Sequence, residues 1–276
     1  MDTYAVFGNP IAHSRSPLVH QYFAQQFDDV IQYQAILAEK ESVKQIFDDF
    51  FVIGKGANVT LPFKEFAYEY ADILSDYAQQ AGAVNTLIKQ SDGSILGDNT
   101  DGVGLVRDIA NLGFDLTNKS VLLLGAGGAA RGVLPALLSK QPLKIVVANR
   151  TAEKAAKLAE VSPLVDGTSL TNIPHQPYDI VINSTSASID KRILDIDTTL
   201  LKDATLIYDM FYSADGTFFN EWCQQFSSAK TFDGLGMLVE QAAASFYLWR
   251  GKRPDSKRVI NLLREKIQSE SKNTIS

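Results

Sequence analysis

The feature that most constrains the fold is a glycine-rich turn between an apolar run and a helical pattern. Residues 120–124 read Ser-Val-Leu-Leu-Leu, a buried-strand candidate. Gly125-Ala126-Gly127-Gly128-Ala129-Ala130 follows at once, and a helical pattern occupies 129–138. A second apolar run, 144–148, comes next. Strand, glycines, helix and strand in that order predict a βαβ unit built to hold a dinucleotide. Gly125 allows the tight turn, and Gly127 lets backbone approach a pyrophosphate. Ala130 is small enough for the helix to pack on the strand. Gly128 and Ala129 begin the helix, whose free N–H groups and positive dipole end suit phosphate. The bland alternative is an ordinary strand-to-helix turn.

The tip of the second strand reads Asn149-Arg150-Thr151. A site for the unphosphorylated nicotinamide places Asp or Glu there, on the ribose 2′-hydroxyl. This chain offers Arg150, which can make a charge-assisted fork to a 2′-phosphate. Thr151 adds a hydroxyl, and Lys154 adds charge one turn on. The pattern predicts NADP as cofactor. Otherwise Arg150 is a solvated surface arginine.

Strand-like and helical segments alternate through the rest of the 276 residues. Strands are expected at 4–8, 31–37, 57–61, 179–182 and 205–208. Helices are expected at 16–27, 42–51, from about 64, at 101–113, 152–161, 237–249 and 256–267. Asp92-Gly93 between 85–90 and 94–97 signals a hairpin. The last residues, about 269–276, are polar and read as frayed. The expected fold class is α/β with two domains. A substrate-binding domain over 1–101 is completed by C-terminal helices within 238–276. A Rossmann-like dinucleotide-binding domain covers 102–237.

Net charge is −6 with no basic block, so nucleic acid is not an expected partner. An anion must therefore be held by a few placed donors. The lone cysteine, Cys223, reads as a buried structural thiol, and no intramolecular disulfide is possible. No leader pattern or long apolar run appears, so the expected setting is the cytoplasm, with no membrane partner. His13, His20 and His175 lack ligand spacing, and no metal is expected.

Three blocks in the first domain carry polar groups near strand C-termini, where open α/β sheets bind ligands. In the first, 8–17, Ser14 and Ser16 flank Arg15 ahead of Pro17. These hydroxyls form a carboxylate site, unless Ser16 only caps the helix. In the second, 58–64, Asn58 and Thr60 share one strand face, suited to substrate hydroxyls. Lys64 opens a helix, where the dipole and burial would lower its pKa and suit it to general acid/base work. By itself it reads as a surface lysine. In the third, Asn85 begins a strand and Asp101 starts a helix. Asp101 could be an N-cap or the partner of Lys64.

Together the blocks closely resemble the shikimate dehydrogenase family, over nearly the whole chain. The matches are 8–17, 58–64, 81–86, 99–102, 125–132, 149–151, 209–212 and 233–241. The resemblance implies reduction of 3-dehydroshikimate to shikimate with NADPH. It implies that Ser14 and Ser16 hold the substrate carboxylate with Tyr212 nearby. Asn58, Thr60, Asn85 and Gln241 would bind ring hydroxyls, and Lys64 with Asp101 would form the catalytic pair. Thr185, Met210, Gly234 and Met237 would face the cofactor. Such an enzyme works on a small molecule as a monomer or homodimer. A relative that also takes quinate or prefers NAD, or a non-catalytic nucleotide sensor, is the competing reading. Two departures stand out. Ser188 replaces a glycine of the family pattern, and Phe218 follows Thr217 where many members have proline. Both bear on the cofactor-side loops.

Overall fold

The computed structural model describes residues 1–275, with side chains to residue 272. The chain forms two compact units. Met1–Gly104 and Leu238–Leu263 make the first; Leu105–Met237 and the chain from Arg264 onward make the second. The expected boundaries move in two places. The first turn of the helix Asp101–Asn111 stays with the first unit. The C-terminal helix Ser256–Ile275 is shared, because the Arg264 fork grips both oxygens of Asp233 and the Ser213 carbonyl inside the second unit. That helix also runs past the point where fraying was expected, and only Ser276 lies outside the described residues. Its Arg, Glu, Lys and Gln residues are strong helix formers.

The first unit holds a six-stranded sheet of β1 (Asp2–Gly8), β2 (Ile31–Leu37), β3 (Gly56–Val59), β4 (Ile73–Leu74), β5 (Thr86–Lys89) and β6 (Ile95–Asp98). The order is β2-β1-β3-β5-β6-β4. β1 is parallel to both neighbours, whereas β5 runs antiparallel to β3 and β6. The hairpin signal at Asp92-Gly93 joins β5 to β6, with Gly93 at φ +93°.

β1 is apolar on both of its faces because both are covered. Tyr4 and Val6 pack with Ile11, Tyr33 and Trp249 on one side. Ala5 and Phe7 pack with Phe47, Phe50 and Phe63 on the other. Side-chain alternation explains the split, and two-sided burial explains why the run reads as continuous rather than alternating. The helix Val43–Phe51 buries Val43, Phe47, Phe50 and Phe51, which is helical spacing along one face. Phe47 sits 4.5 Å from the Phe7 ring, 5.1 Å from Tyr70 and 5.5 Å from Phe66, centroid to centroid.

The second unit is a wholly parallel sheet of β7 (Ser120–Leu124), β8 (Lys144–Asn149), β9 (Val165–Ser169), β10 (Ile180–Asn183), β11 (Leu206–Asp209) and β12 (Lys230–Asp233). The order is β12-β11-β10-β7-β8-β9. Chain direction across the sheet reverses at β7, where β10 and β8 lie on opposite sides. Such a switch point opens a crevice at the strand C-termini. β9 and β12 escape the sequence reading because both are edge strands with few apolar residues. Gly167 in β9 also has no room for a side chain, since a Cβ would lie 2.3 Å from the Ala155 carbonyl oxygen. Cys223 is buried, and burial pushes its thiol up to about 12. Among the described residues no helix is long and apolar enough to cross a membrane.

Two stability effects follow. Phe47→Ala should cost about 3–5 kcal/mol in urea denaturation, the cost of removing a fully enclosed ring. A loss below about 1 kcal/mol would show that the aromatic cluster closes over the gap. His20 is fully buried, and burial lowers its pKa to about 3. The unfolded chain therefore binds a proton that the native chain refuses. Its contribution is intact above about pH 6.5 and erodes as pH falls toward 3, by up to about 1.4 kcal/mol per unit. A His20→Gln variant should show a shallower fall of Tm between pH 7 and 5 than the unmodified chain. Equal slopes would refute this.

Candidate active site

In the first unit, residues far apart in sequence converge on one carboxylate. Lys64 is the first residue of the helix Lys64–Tyr70, just beyond β3. Asp101 is the first residue of its own helix, just beyond β6. Lys64 Nζ donates to Asp101 Oδ2 at 2.5 Å. The other oxygen, Oδ1, accepts from Asn85 Nδ2 at 2.8 Å. The pair is partly shielded, at 24% and 13% side-chain exposure. The carboxylate thus cannot turn away, and Lys64 keeps a face open to solvent. Asp101 is more than a cap: its side chain is spent on Lys64 and Asn85.

Asn85 is fixed in turn. Its Oδ1 accepts from the Thr100 N–H at 2.9 Å and from the Thr86 hydroxyl at 2.8 Å. Its Nδ2 also reaches Thr100 Oγ1 at 3.0 Å and Gln241 Oε1 at 3.4 Å. Gln241 enters from the helix Leu235–Arg250 and is anchored by donating to the Leu238 carbonyl at 2.8 Å. Ser245, one turn on, hydrogen-bonds Thr86 at 2.8 Å and Asn58 at 3.0 Å. Ser245 carried no sequence signal, and Thr86 and Thr100 entered only as members of the 81–86 and 99–102 matches, because small hydroxyl residues are common and only the fold stacks them.

Asn58, expected to contact substrate hydroxyls, is bonded from several sides within the protein. It is buried, and its carbonyl oxygen accepts from the Tyr33 hydroxyl at 2.8 Å and lies 3.2 Å from His20 Nε2. Its amide donates to Thr86, Ser245 and the Asn85 carbonyl. Every polar atom is used inside the protein. Thr60, just beyond β3, is half-buried and its methyl packs over Gly8. Ser16 opens the helix Ser16–Gln25, but no side chain caps that helix and its hydroxyl bonds Tyr33 instead. Ser14 Oγ accepts from the Ser16 N–H at 3.4 Å. The two hydroxyls therefore sit together at a helix start opened by Pro17.

The second unit carries a groove of about 540 Å³ at the carboxyl ends of its strands. Gly125, Ala126, Gly127, Asn149, Arg150, Thr151, Lys154 and Thr185 all line it. Gly125 holds φ +107°, and a Cβ there would lie 2.5 Å from Ser184 Oγ. A Cβ on Gly127 would meet nothing within 4 Å, so its backbone faces open space. No side chain caps the helix Gly128–Ser139, and its first amides stay available. Ala130 is buried beneath the turn. Asn149 Oδ1 accepts from the Ala126 N–H at 3.3 Å, tying the turn to the β8 tip. Arg150, Thr151 and Lys154 give the groove two cations and a hydroxyl. This donor set fits a dinucleotide carrying a 2′-phosphate.

Some residues were missed. Arg192 lines the groove beside Ile193 and Leu194, and Ser169 with Thr171 closes its far side. Their segments carry no local signal, and they arrive by way of β9 and the loop after β10. Gly128 and Ala129 form the first turn of the helix without lining the groove. Met210, Gly234 and Met237 lie at the turns after β11 and β12 and do not line it either. Gly234 packs on the Met210 carbonyl, where a Cβ would come within 2.1 Å. Met237 donates its N–H to Tyr208 Oη at 3.3 Å. Tyr212 stacks near Phe211 in this unit.

Comparisons with known proteins agree along the chain. The family model for the shikimate dehydrogenase substrate binding domain matches residues 6–87. The shikimate / quinate 5-dehydrogenase model matches 105–197, and the shikimate 5'-dehydrogenase C-terminal domain matches 234–264. A shikimate dehydrogenase (NADP(+)) from Shewanella woodyi is 51% identical, covering 98% of this chain and 99% of its own. Among solved structures, an Ael1 enzyme from Pseudomonas putida is similar with a TM-score of 0.91 at 42% identity, covering 95% of this chain and 98% of its own. A shikimate 5-dehydrogenase from Thermus thermophilus, in complex with NADP(H) and shikimate, gives a TM-score of 0.84 at 30% identity, covering 96% of this chain and 99% of its own. With these likenesses spanning both units, the chain belongs to the shikimate dehydrogenase family.

Proposed function

We propose that this chain is an NADP-dependent shikimate dehydrogenase that reversibly reduces 3-dehydroshikimate to shikimate. The observation that carries the reading is the 2.5 Å contact between Lys64 and Asp101, with Asn85 on the second carboxylate oxygen. NADPH, when bound, supplies the hydride.

The chain's own residues handle the proton and the orientation. Lys64 Nζ gives a proton to the carbonyl oxygen as that oxygen becomes a hydroxyl. The protein thereby stabilises charge where it develops, which is where catalytic contacts act most strongly. Asp101 keeps the ammonium aimed and is itself held by Asn85. The partly exposed Lys64 then recovers its proton from solvent. In the reverse direction it accepts one. Because Lys64 and Asp101 touch, their titrations belong to the pair.

Ser14 and Ser16 suit the substrate carboxylate, which an acidic chain must hold with local donors. Tyr212 is assigned to the same carboxylate by resemblance. Thr60, Asn85 and Gln241 suit the ring hydroxyls. Asn58 is assigned to the same hydroxyls by resemblance, and it also holds Tyr33, Thr86 and Ser245 in place. Arg150, Thr151 and Lys154 suit the 2′-phosphate. Met210, Gly234 and Met237 are assigned to the nicotinamide end by resemblance. The setting that goes with this reading is the cytoplasm, since one free thiol needs no oxidising compartment.

A spectrophotometric assay of NADP reduction with shikimate tests the reading, with NAD and quinate as parallel arms. Lys64→Ala should lower kcat by about 10²–10⁴-fold while the protein stays folded. If kcat stayed within about twofold, the catalytic assignment of Lys64 would fail. Arg150→Ala should weaken NADP by about 10–100-fold, the loss of charge-assisted hydrogen bonds, and leave NAD almost unchanged. An equal loss for both nucleotides would remove Arg150 from the 2′-phosphate.

A further inference from the structure

Asp209 ends β11 with a carboxylate that is fully buried. The groups that satisfy it are uncharged. Asn183 Nδ2 donates to Oδ1 at 3.0 Å and the Phe211 N–H donates at 3.1 Å. The Ser188 hydroxyl donates to Oδ2, and the Thr217 hydroxyl also reaches this carboxylate. Burial pushes the Asp209 pKa up, and those four donors oppose the rise. A buried carboxylate of this kind depends on each donor, because an unmet acceptor pays its full desolvation cost.

One departure from the family pattern, Ser188, bonds this group, and the other, Phe218, follows Thr217, whose hydroxyl also reaches it. Ser188 stands at the glycine position, is 5% exposed, and lies in the short helix Ala187–Asp190. Its hydroxyl donates to Asp209 and accepts the Phe219 N–H at 3.0 Å. Phe218 starts the helix Phe218–Cys223, and Thr217 caps it by accepting from the Asn220 N–H. With glycine at 188, Asp209 would lose one donor and the Phe219 N–H this acceptor.

The same carboxylate leads to the groove. Asn183 Oδ1 accepts from the Thr185 N–H at 3.0 Å and the Thr185 hydroxyl at 2.6 Å. Thr185 Oγ1 then accepts the Ala187 N–H at 3.2 Å. Thr185 and Ala187 both line the groove. On the other side, the Met210 N–H donates to the Asn183 carbonyl at 2.9 Å.

We propose that Ser188 is a positioning residue for NADP(H), acting through Asp209 and Asn183, whose carbonyl also holds the Met210 N–H, to set Thr185 and Ala187 at the groove. The inference rests on the reading of that groove as the NADP site. Ser188 touches no part of the groove through its hydroxyl, so its effect is indirect.

The test is an NADPH fluorescence titration without turnover, on the full chain and on Ser188→Ala, Ser188→Gly, Asp209→Asn and the Ser188→Ala/Asp209→Asn double variant. Shikimate affinity by calorimetry, Tm and steady-state kinetics accompany it. Ser188→Ala and Ser188→Gly should each raise the NADPH Kd about tenfold, the loss of one hydrogen bond to a carboxylate. KM for NADPH should rise with it, while kcat at saturation and the shikimate Kd stay within about threefold. In the Asp209→Asn background, Ser188→Ala should have less than half its single effect, as expected for coupled neighbours. Ser188→Gly keeps the comparison open if the alanine variant does not fold. An unchanged NADPH Kd, an equal loss of shikimate affinity, or full additivity of the two substitutions would overturn the proposal. Failure of the unmodified chain to bind NADPH would instead overturn the reading of the groove.

Discussion

A lysine and an aspartate in contact, partly screened from water, form the constraint around which the first unit is organised. An ammonium and a carboxylate at 2.5 Å gain from each other only if the groups around them are also satisfied. The second oxygen of Asp101 meets this demand by taking the Asn85 amide. Asn85 meets it by using Thr100, Thr86 and Gln241. Each layer is oriented by the one behind it, down to Asn58, Tyr33 and His20, which have no contact with the ion pair. The proton transfer proposed for this pair would require such holding, because loose side chains would give up the orientation on which rate depends.

The second unit solves a different problem, the binding of a large anion by a protein of net charge −6. Backbone does most of this. An uncapped helix start, a glycine with nothing over it, and a reversal of strand order at β7 place amides at the crevice. Side-chain cations are few, and Arg150, Lys154 and Arg192 line the groove. The Asp209 cluster belongs to the same design. It fastens the loop after β10 to the end of β11 with neutral donors.

Much of this was legible because local physics and function coincide at particular residues. Gly125 must turn with positive φ, and only glycine does so cheaply. The runs inside β7, β8 and β10 are apolar on both faces because parallel strands are covered on both faces. Lys64 and Asp101 stand at helix starts beside strand ends, but position alone leaves Lys64 a surface lysine, and only the family resemblance paired the two. Other partners were not legible: the Ser16 hydroxyl bonds Tyr33 rather than capping its helix, and Asn58 is tied to Tyr33, Thr86 and Ser245, contacts set only by the fold. The edge strands β9 and β12 stayed hidden, since an edge needs little apolar surface.

By itself, the sequence determined the α/β class, the dinucleotide turn, the arginine at the β8 tip, and the set of polar residues available for chemistry. These are local properties, set by steric freedom, by periodicity and by residue type within a few positions. The tertiary structure alone decided which of those residues meet. Lys64 and Asp101 are 37 positions apart, and Asn58 and Ser245 are 187 apart. Ser188 and Asp209 are 21 apart and form one buried cluster. Contacts of that range depend on how strands order in a sheet and on where helices return. That order comes from burying every apolar face at once, a condition no short window of sequence contains.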